Sequence, residues 1–314
     1  MARTHIPEAV LSAAHARAAA RAERRWEEAD RLRDEIEAAG WKIVDRGTDF
    51  QLTPATPPTL EAEGVVRYGA SNDVPSRLDE PPTTDATIVL VATDWPADTD
   101  RALEALRRHA PAGTQVVVVA DGPSAEQDAA LADPEDAEVV RTSARLGQAA
   151  AINIGIRRAT GRVVVVLDTS VEATGDVVTP LVRALDDPSV AVAGGWGIVT
   201  DDLRRFRDAP PGDVDAIEGY AIAFRRAEAA ARGPLDERFR FYRNLDVWWS
   251  LVLRDEGEGR PPRRAVALAL PADRHEHRGW TSLPDDERDR LSKRNFYRII
   301  DRFGSRLDLA GGDR

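Results

Sequence analysis

The sequence predicts an α/β fold in which a mostly parallel sheet is flanked by helices on both faces. Short valine-rich runs alternate with helical stretches through the middle of the chain, a pattern typical of repeated strand–helix units. These runs are apolar almost throughout, as expected for strands that are buried on both faces. The predicted strands are Thr87–Thr93, Gln115–Ala120, Arg162–Asp168 and Val190–Ala193, and the predicted helices are Thr99–His109, Gly147–Thr160 and Asp176–Leu185.

A small helical and hairpin module is predicted before this region, over residues 1–53. Pro7–Ala39 contains no glycine and has proline only at its first position, so one helix ending at Gly40 is expected. Trp41–Asp45 and Phe50–Thr53 flank the turn-like residues Arg46-Gly47-Thr48, which predicts a hairpin. The apolar stripe of the helix consists of Trp26, Ala29, Leu32 or Arg33, Ile36 and Ala39.

The remaining segments divide the chain further. Residues 54–84 are rich in proline and lack periodicity, which predicts a linker or a strap over the next domain. The α/β domain is expected over 85–280. A C-terminal segment, 281–314, contains an amphipathic helix over Glu287–Leu307.

Composition excludes several classes of protein. The chain has 314 residues, a net charge of −11 and no cysteine, so disulfides, thiolate nucleophiles and cysteine-ligated metals are excluded. The acidic balance gives no global attraction to DNA. No apolar run approaches the roughly 20 residues of a membrane span, and the first residues lack the apolar core of a secretory signal. A cytoplasmic protein is therefore expected, and the abundance of Ala, Arg, Asp and Glu suggests a bacterial source.

Two predicted strands are followed directly by a carboxylate, Asp121 in one case and Asp168 in the other. Ligands of open α/β sheets bind beyond the carboxyl ends of the strands. The first strand is followed by Thr93-Asp94-Trp95-Pro96 in place of a glycine-rich fingerprint, which disfavours a dinucleotide-binding domain. Ser170 stands where a second carboxylate would complete a metal clamp with Asp168.

The order of several motifs resembles that of family 2 glycosyltransferases with the GT-A fold, over about Ala86 to Gly279. The motifs of the first half are Asp121-Gly122-Pro123-Ser124, Arg145-Leu146-Gly147, Ala151-Ile152-Asn153-Ile154-Gly155 and Leu167-Asp168, and those of the second half are Gly219–Arg226 and Gly233–Phe239. The family's Glu-Asp pair, which opens a later helix, falls here on Leu245 and Asp246. The glutamate is therefore missing and the aspartate is kept.

The resemblance implies a glycosyltransferase that moves a sugar from a nucleoside-diphosphate sugar to an acceptor hydroxyl, with inversion and with a divalent cation, Mn²⁺ or Mg²⁺. The acceptor is a glycan, a lipid-linked molecule or a protein. In this scheme Asp246 is the catalytic base, and Asp168 contacts the ribose and helps to hold the cation. The implied donor-binding residues are Asp121, Arg145, Gly147, Asn153 and Asp168.

A histidine after the strand Ala265–Leu270 adds to this scheme. In some members of the fold a histidine in this region binds the metal from the far side, and His277 in His275–Gly279 has that place. Glu172 is a second substitute for the missing carboxylate.

Structural roles compete with each of these assignments. Asp121 could cap the helix that follows through the Ser124 turn, and Asp168 could stabilise a turn. Asp246 would be a good N-cap for a helix over Val247–Glu256. His277 could be a structural histidine, and Asn153 and Gly155 could be packing and turn residues near the nucleotide loop. Trp248 and Trp249 are expected in the core and in the wall of an acceptor pocket.

The terminal segments leave further alternatives open. Residues from about Ala18 to Leu52 are similar to the C-terminal helical end of cysteinyl-tRNA synthetases, which favours a docking helix, or one that forms a homo-oligomer, over tRNA binding. The C-terminal helix could dock on the domain or lie on the inner face of an anionic membrane. Two other functions therefore stand beside the enzyme: a catalytically inactive GT-A-fold binding or scaffolding protein, and an RNA-associated protein.

Overall fold

A computed structural model describes residues 6–46, 49–132 and 136–311. The chain divides into two compact units, Met1–Pro58 and Thr59–Arg314. The first unit contains two helices and a hairpin, α1 (Glu8–Ala22), α2 (Trp26–Ala38), β1 (Trp41–Arg46) and β2 (Asp49–Pro54).

The prediction of one helix over Pro7–Ala39 is wrong. Arg24 adopts a left-handed backbone with φ of 59°, and the Arg25 N–H donates to the Ala20 carbonyl, which closes the end of α1. A non-glycine residue takes this position, so composition did not reveal the break. Gly40, with φ of 78°, ends α2 as predicted.

The hairpin is present, with antiparallel pairing from Trp41 opposite Pro54 to Arg46 opposite Asp49. The turn residues Gly47 and Thr48 lie outside the described residues. Trp26 does not belong to the apolar stripe, because 55% of it is exposed, whereas Ala29, Leu32 and Ile36 are buried. The core of the unit contains Val10, Ala14, Ile36, Trp41 and Ile43.

The second unit has a central sheet with helices on both faces. Its strands are β3 (Leu60–Ala62), β4 (Val65–Tyr68), β5 (Thr84–Ala92), β6 (Gln115–Ala120), β7 (Glu138–Thr142), β8 (Gly161–Leu167), β9 (Val171–Ala173), β10 (Val190–Gly194), β11 (Gly197–Thr200), β12 (Phe206–Ala209), β13 (Gly212–Val214), β14 (Ala216–Ile217), β15 (Ala221–Arg225), β16 (Arg264–Ala267) and β17 (Ala272–Arg274). Its helices are α3 (Pro96–His109), α4 (Ala125–Ala130), α5 (Gln148–Arg158), α6 (Val178–Ala184), α7 (Arg226–Arg232), α8 (Leu245–Arg254), α9 (Arg278–Thr281) and α10 (Asp285–Phe303).

The ten-stranded sheet has the order β13-β16-β10-β15-β8-β5-β6-β7-β4-β3. Strands β8, β5, β6, β7 and β4 are parallel, and β15 runs antiparallel between β8 and β10. The predicted fold class, a mostly parallel sheet flanked by helices, is therefore confirmed. The carboxyl ends of β5, β6 and β8 meet at one edge, which places Asp121 and Asp168 on either side of β5.

Successive residues of the central strands bury side chains in different clusters. Ile88 and Leu90 pack with Leu103 of α3 and Leu181 of α6. Val89, between them, packs in another cluster with residues of α5 and α8. Because both faces are covered, the strands need apolar residues at every position, which explains the valine-rich runs.

The proline-rich segment 54–84 differs from a free linker. Its strands β3 and β4 form one end of the sheet, and β4 pairs with β7 in parallel. Farther along, the Arg77 N–H donates to the Arg157 carbonyl at 2.7 Å, and the Thr83 N–H donates to the Thr160 carbonyl at 2.9 Å. The structure thus corrects the linker alternative for residues 59–84, which form a strap on the second unit.

The C-terminal helix α10 docks on the second unit. Asn295, Ile299 and Phe303 are buried, and Phe303 and Ile299 lie in the same core cluster as α8. The observed helix begins two residues before the predicted start, at Asp285, and ends at Phe303. Within the described residues, no helix combines the length and the apolar character needed to cross a membrane.

Candidate functional site

Asp168, Asp246 and His277 line one cleft of about 460 Å³. Asp168 follows β8, Asp246 is the second residue of α8, and His277 precedes α9. These positions are far apart in the sequence and are brought together by the sheet edge. The wall also contains Glu218, Tyr220, Tyr242, Arg243, Trp249 and Trp280.

Asp168 is held by two partners. Its Oδ1 accepts hydrogen bonds from the backbone N–H of Ser170 at 2.8 Å and from the Ser170 hydroxyl at 2.5 Å, and its Oδ2 lies 3.3 Å from Nε2 of His277. Burial alone would raise the pKa of Asp168, but His277 and Ser170 together hold that pKa below its ordinary value. The residue in place of the second carboxylate therefore donates to the first one.

His277 is fixed by aromatic neighbours. Its ring stacks on Tyr242, with centroids 4.2 Å apart and an angle of 24°, and meets the edge of Tyr220 at 6.3 Å. Burial would lower the pKa of His277, but the nearby carboxylate of Asp168 raises it. Its other ring nitrogen, Nδ1, is buried without a hydrogen-bond partner among the described residues.

Asp168 and His277 can supply only two of the ligands of a divalent cation. Two ligands of one ion at about 2.0–2.2 Å and at right angles are about 3 Å apart, close to the 3.3 Å between Asp168 Oδ2 and His277 Nε2. The described part of the chain holds no group of three or more His, Cys, Asp or Glu side chains arranged for a metal. The other ligands would have to come from the diphosphate and water.

Glu172 does not complete such a clamp. Its Oε2 lies 2.8 Å from Nε2 of His275 and 4.0 Å from Nε of Arg101. Glu172 does not line the cleft, so the interpretation of this residue as a substitute for the second carboxylate is wrong.

Asp246 is oriented by two backbone groups. Its Oδ2 accepts from the Gly219 N–H at 2.8 Å and its Oδ1 from the Val247 N–H at 2.9 Å. Burial raises the pKa of Asp246 despite these two donors. The helix begins at Leu245 and its N-cap is Asn244, so the alternative of Asp246 as N-cap is wrong.

Sequence reasoning missed a carboxylate, Glu218, in the same cleft. Burial raises the pKa of Glu218, and so do the charges of Asp246 and Asp208. Arg274 lies 3.8 Å from Glu218, and its guanidinium covers the rings of Trp196 and Tyr220 at 5.2 and 4.8 Å. Glu218 precedes the strand motif Gly219–Arg226 by one residue, and this adjacency is the one signal that could have pointed to it.

Asp121 follows β6 and faces the backbone of the Arg145–Gly147 loop. Its Oδ1 accepts from the Leu146 N–H at 2.7 Å and its Oδ2 from the Gly147 N–H at 2.8 Å, and Thr142 adds a hydroxyl donor at 3.1 Å. Burial raises the pKa of Asp121 despite these donors. The helix-capping alternative is wrong, since Ser124 itself caps α4 by accepting from the Gln127 N–H.

The neighbouring donor-site candidates lie around the same loop. Arg145 is exposed and pairs with Asp94, which raises the pKa of the guanidinium. Gly147 has φ of 105°, and a Cβ there would come within 2.7 Å of Cα of Arg240. The next residue, Gln148, lines the cleft.

Asn153 has a structural role. It is 4% exposed, its amide donates to the Leu235 carbonyl at 2.9 Å and to Glu237 at 3.0 Å, and its Oδ1 accepts from the Leu235 N–H at 2.8 Å. These bonds fasten the Gly233–Phe239 turn to α5. Packing is the structural alternative that the sequence offers for Asn153, and a donor contact of Asn153 stays a prediction.

Trp248 and Trp249 are buried, as predicted for core residues. Trp248 packs on Phe239 and Trp249 on Phe224, and Trp249 also reaches the cleft wall.

Comparisons with known proteins point in one direction. Residues 87–241 match the family model described as glycosyl transferase family 2. The fold is similar to GalNAc-T7 solved with UDP, GalNAc and Mn²⁺, with a TM-score of 0.58 and 16% identity over 71% of this chain and 49% of that chain. The chain thus spans about half the length of that protein.

A second similar structure is the mannosyltransferase PcManGT from Pyrobaculum calidifontis in complex with GDP-Man and Mn²⁺, with a TM-score of 0.53 and 18% identity over 76% of this chain and 71% of that chain. No curated protein sequence shows significant similarity to this chain. The family match and the architecture agree with each other. The chain therefore contains a domain of glycosyl transferase family 2, folded as in the GT-A glycosyltransferases.

Proposed function

We propose that the chain transfers a sugar from a nucleoside-diphosphate donor to an acceptor hydroxyl, with inversion and with the help of a divalent cation. The observation that supports this best is the cleft shared by Asp168, Asp246 and His277 at the carboxyl end of the sheet of a family 2 domain. The two similar structures carry UDP or GDP-Man together with Mn²⁺, which favours a donor of the same class.

Asp246 is the proposed general base. A hydroxyl is a poor nucleophile at neutral pH, and a positioned base increases the rate of its attack by about 10²- to 10⁴-fold. The acceptor oxygen forms a bond to the anomeric carbon, its proton passes to Asp246, and the bond from that carbon to the diphosphate breaks. The raised pKa of Asp246 and the two backbone donors that fix its orientation suit this role.

Asp168 and His277 are the proposed protein ligands of the cation. The chemistry that a divalent cation supplies is neutralisation of the charge on the departing diphosphate. Asp168 stays ionised near neutral pH because its pKa is low, so it is a ready ligand.

The turn Asp121–Ser124, called the Asp121 turn, is the proposed support of the nucleotide. Its carboxylate holds the backbone of Leu146 and Gly147, next to Gln148 in the cleft wall. Direct contacts of Asp121 with the nucleobase and of Arg145 with the phosphates stay predictions.

A catalytically inactive binding protein is the second candidate. It is favoured by Ser170 and Leu245, which stand where the family has carboxylates, and Leu245 is buried in the wall of the cleft. Such a protein would bind the donor without turning it over. The RNA-associated function and the synthetase-like N-terminal module stay predictions.

Thermal unfolding tests the donor first. We expect a UDP-, GDP- or dTDP-sugar to raise the melting temperature in the presence of Mn²⁺ or Mg²⁺, since a ligand that binds only the folded state stabilises it. No stabilisation by any of these donors would contradict the proposal.

Turnover then separates the two candidates. Asp246→Asn should reduce turnover by about 10²- to 10⁴-fold and leave the donor affinity nearly unchanged. Asp201→Asn is the matched control, because Asp201 is an exposed carboxylate paired with Arg207. Donor binding without turnover in the native chain would favour the inactive binding protein, and wild-type turnover in Asp246→Asn would remove Asp246 from the base role.

A further inference from the structure

We propose that the guanidinium group of Arg243 binds the diphosphate of the donor. The inference rests on the proposed function and adds a residue that sequence reasoning did not select. It follows from where the charges of the cleft are and from which of them already have partners.

Arg243 is an exposed residue of the cleft wall. Within the described residues its side chain forms no hydrogen bond or ion pair, and it lies over the ring of Trp280 at 5.6 Å. The other cations beside the cleft are engaged: His277 is 3.3 Å from Asp168, and Arg274 is 3.8 Å from Glu218. The charge of Arg243 is therefore available to a ligand.

The cleft needs such a charge. Its wall carries the carboxyl groups of Asp168, Glu218, Asp246 and Glu276. A diphosphate brought into these surroundings meets like charge, and a cation on two protein ligands offsets only part of it. An arginine offers a planar fork of donors that matches phosphate oxygens, and it keeps its charge at every physiological pH.

The position of Arg243 is fixed by its backbone. The buried amide of Asn295 on α10 donates to the carbonyls of Phe241 and Arg243 at 2.8 and 2.9 Å. Asn244, in a left-handed conformation with φ of 67°, donates to the Ser292 carbonyl at 3.1 Å. The C-terminal helix α10 thus holds residues 241–244 in place, while within the described residues the guanidinium N–H groups of Arg243 donate no hydrogen bond.

The effect of the Arg243 charge on neighbouring carboxyl groups agrees with this placement. Its charge acts to lower the pKa of Asp246 and of Glu218, although burial raises both pKa values overall. Arg243 is therefore close enough to act on groups deep in the cleft.

Calorimetric titration of the full chain tests the inference. The probes are UDP, GDP and dTDP, the corresponding nucleosides, and inorganic pyrophosphate, each with Mn²⁺. Arg243→Gln should weaken binding of the preferred nucleoside diphosphate by about 10- to 100-fold, as expected for lost hydrogen bonds between charged groups, and leave the nucleoside unaffected. The affinity of Arg243→Lys for the nucleoside diphosphate should lie between those of the native chain and Arg243→Gln, since lysine keeps the charge and lacks the planar fork of donors.

Arg288→Gln is the matched control. Arg288 lies 5.0 Å from the same Trp280 ring and pairs with Asp285, and it does not line the cleft. If stacking on Trp280 were the whole role of Arg243, both variants would behave alike. We expect binding by Arg288→Gln to equal that of the native chain.

The outcomes separate the inference from the proposed function. Native-like binding of the diphosphate by Arg243→Gln would overturn the inference while leaving the function intact, and so would an equal loss for diphosphate and nucleoside. If the native chain binds no nucleotide or nucleoside, the proposed function fails, and the binding of pyrophosphate then tests the inference. Pyrophosphate binding that is lost in Arg243→Gln supports an anion site at Arg243. Any other pyrophosphate result overturns the inference.

Discussion

Asp121 and Asp168 each follow a parallel strand, β6 and β8, on either side of β5. In the sequence the two residues look alike, as single carboxylates after valine-rich runs. In the structure both carboxylate oxygens of Asp121 accept hydrogen bonds from backbone N–H groups, whereas Asp168 faces His277 and the cleft. The pKa of Asp121 is raised by burial, and the pKa of Asp168 is lowered because His277 and Ser170 outweigh its burial.

A carboxylate at a strand end therefore takes its role from its tertiary partners. Asp121 stabilises a loop that supports the cleft, and Asp168 is available to a ligand. The two residues should therefore respond differently to the same substitution.

Within this comparison of the two strand-end carboxylates, the largest effect is expected for Asp168→Asn. Removing the charge should reduce turnover by about 100-fold, because a cation on the diphosphate supplies several kcal/mol of stabilisation to the departing group. The thermal stabilisation by donor with Mn²⁺ should also be lost. Steady-state kinetics with Asp201→Asn as the control measures this, and turnover equal to that of the native chain would remove the proposed ligand role.

Gly122→Ala tests how tightly the Asp121 turn packs. Gly122 has φ of 62°, and a Cβ would come within 2.5 Å of the backbone nitrogen of Arg145. We expect the free energy of unfolding to fall by about 2–4 kcal/mol. Gly113→Ala is the control, since Gly113 has φ of 82° with open space around it, and its cost of about 1 kcal/mol is backbone strain alone. Equal losses in urea denaturation would mean that the turn is loosely packed.

Asp121→Asn should affect stability more than chemistry. An amide accepts with one oxygen only, so one of the two backbone donors from Leu146 and Gly147 faces an NH₂ group. The expected loss is about 1–3 kcal/mol in the free energy of unfolding. If the free energy of unfolding in urea is unchanged while the nucleotide affinity is lost, the supporting role of Asp121 is contradicted, because Asp121 would then contact the nucleotide directly.

The smallest effect concerns an exposed carboxylate, Asp45 of the N-terminal unit. Arg17 lies 2.7 Å from it, and their hydrogen bond lowers the pKa of Asp45 from its ordinary value. A lowered pKa stabilises the folded state above the unfolded pKa of about 3.9, and this contribution is lost as the pH falls through the folded value. With solvent screening it amounts to less than about 1 kcal/mol.

Hydrogen exchange of peptides from residues 6–58 in the full chain measures this contribution. Arg17→Met should increase exchange near neutral pH, and the difference from the native chain should diminish as the pH falls below the unfolded pKa of about 3.9. A difference that persists at acid pH would assign the effect to packing of the buried Arg17 side chain rather than to charge.

Much of the fold was predictable from the sequence. The valine-rich runs correspond to β5, β6, β8 and β10, and the intervening helices lie where periodicity places them. The break at Arg24 and the strands β3 and β4 at one end of the sheet were not predictable, because a left-handed arginine and short strands with little burial leave no compositional signal.

The site was predictable in part. Asp168, Asp246 and His277 were selected from motifs, and the structure brings them to one cleft. Glu218 and Arg243 were missed, because neither residue falls on one of the positions by which the resemblance was recognised. The motif of Asn153 left both a donor contact and a packing role open, and the structure shows its amide in packing contacts.

The class of fold follows from the sequence alone, since continuous apolar strands separated by helices can bury their surfaces only in a covered sheet. The sequence also determined that carboxylates stand at strand ends. Which of them faces the cleft depends on the tertiary structure, because burial, hydrogen-bond donors and neighbouring charges come from residues far away in the chain. Thus the backbone N–H groups of Leu146 and Gly147 donate to Asp121, whereas Asp168 lies beside His277 in the wall of the cleft.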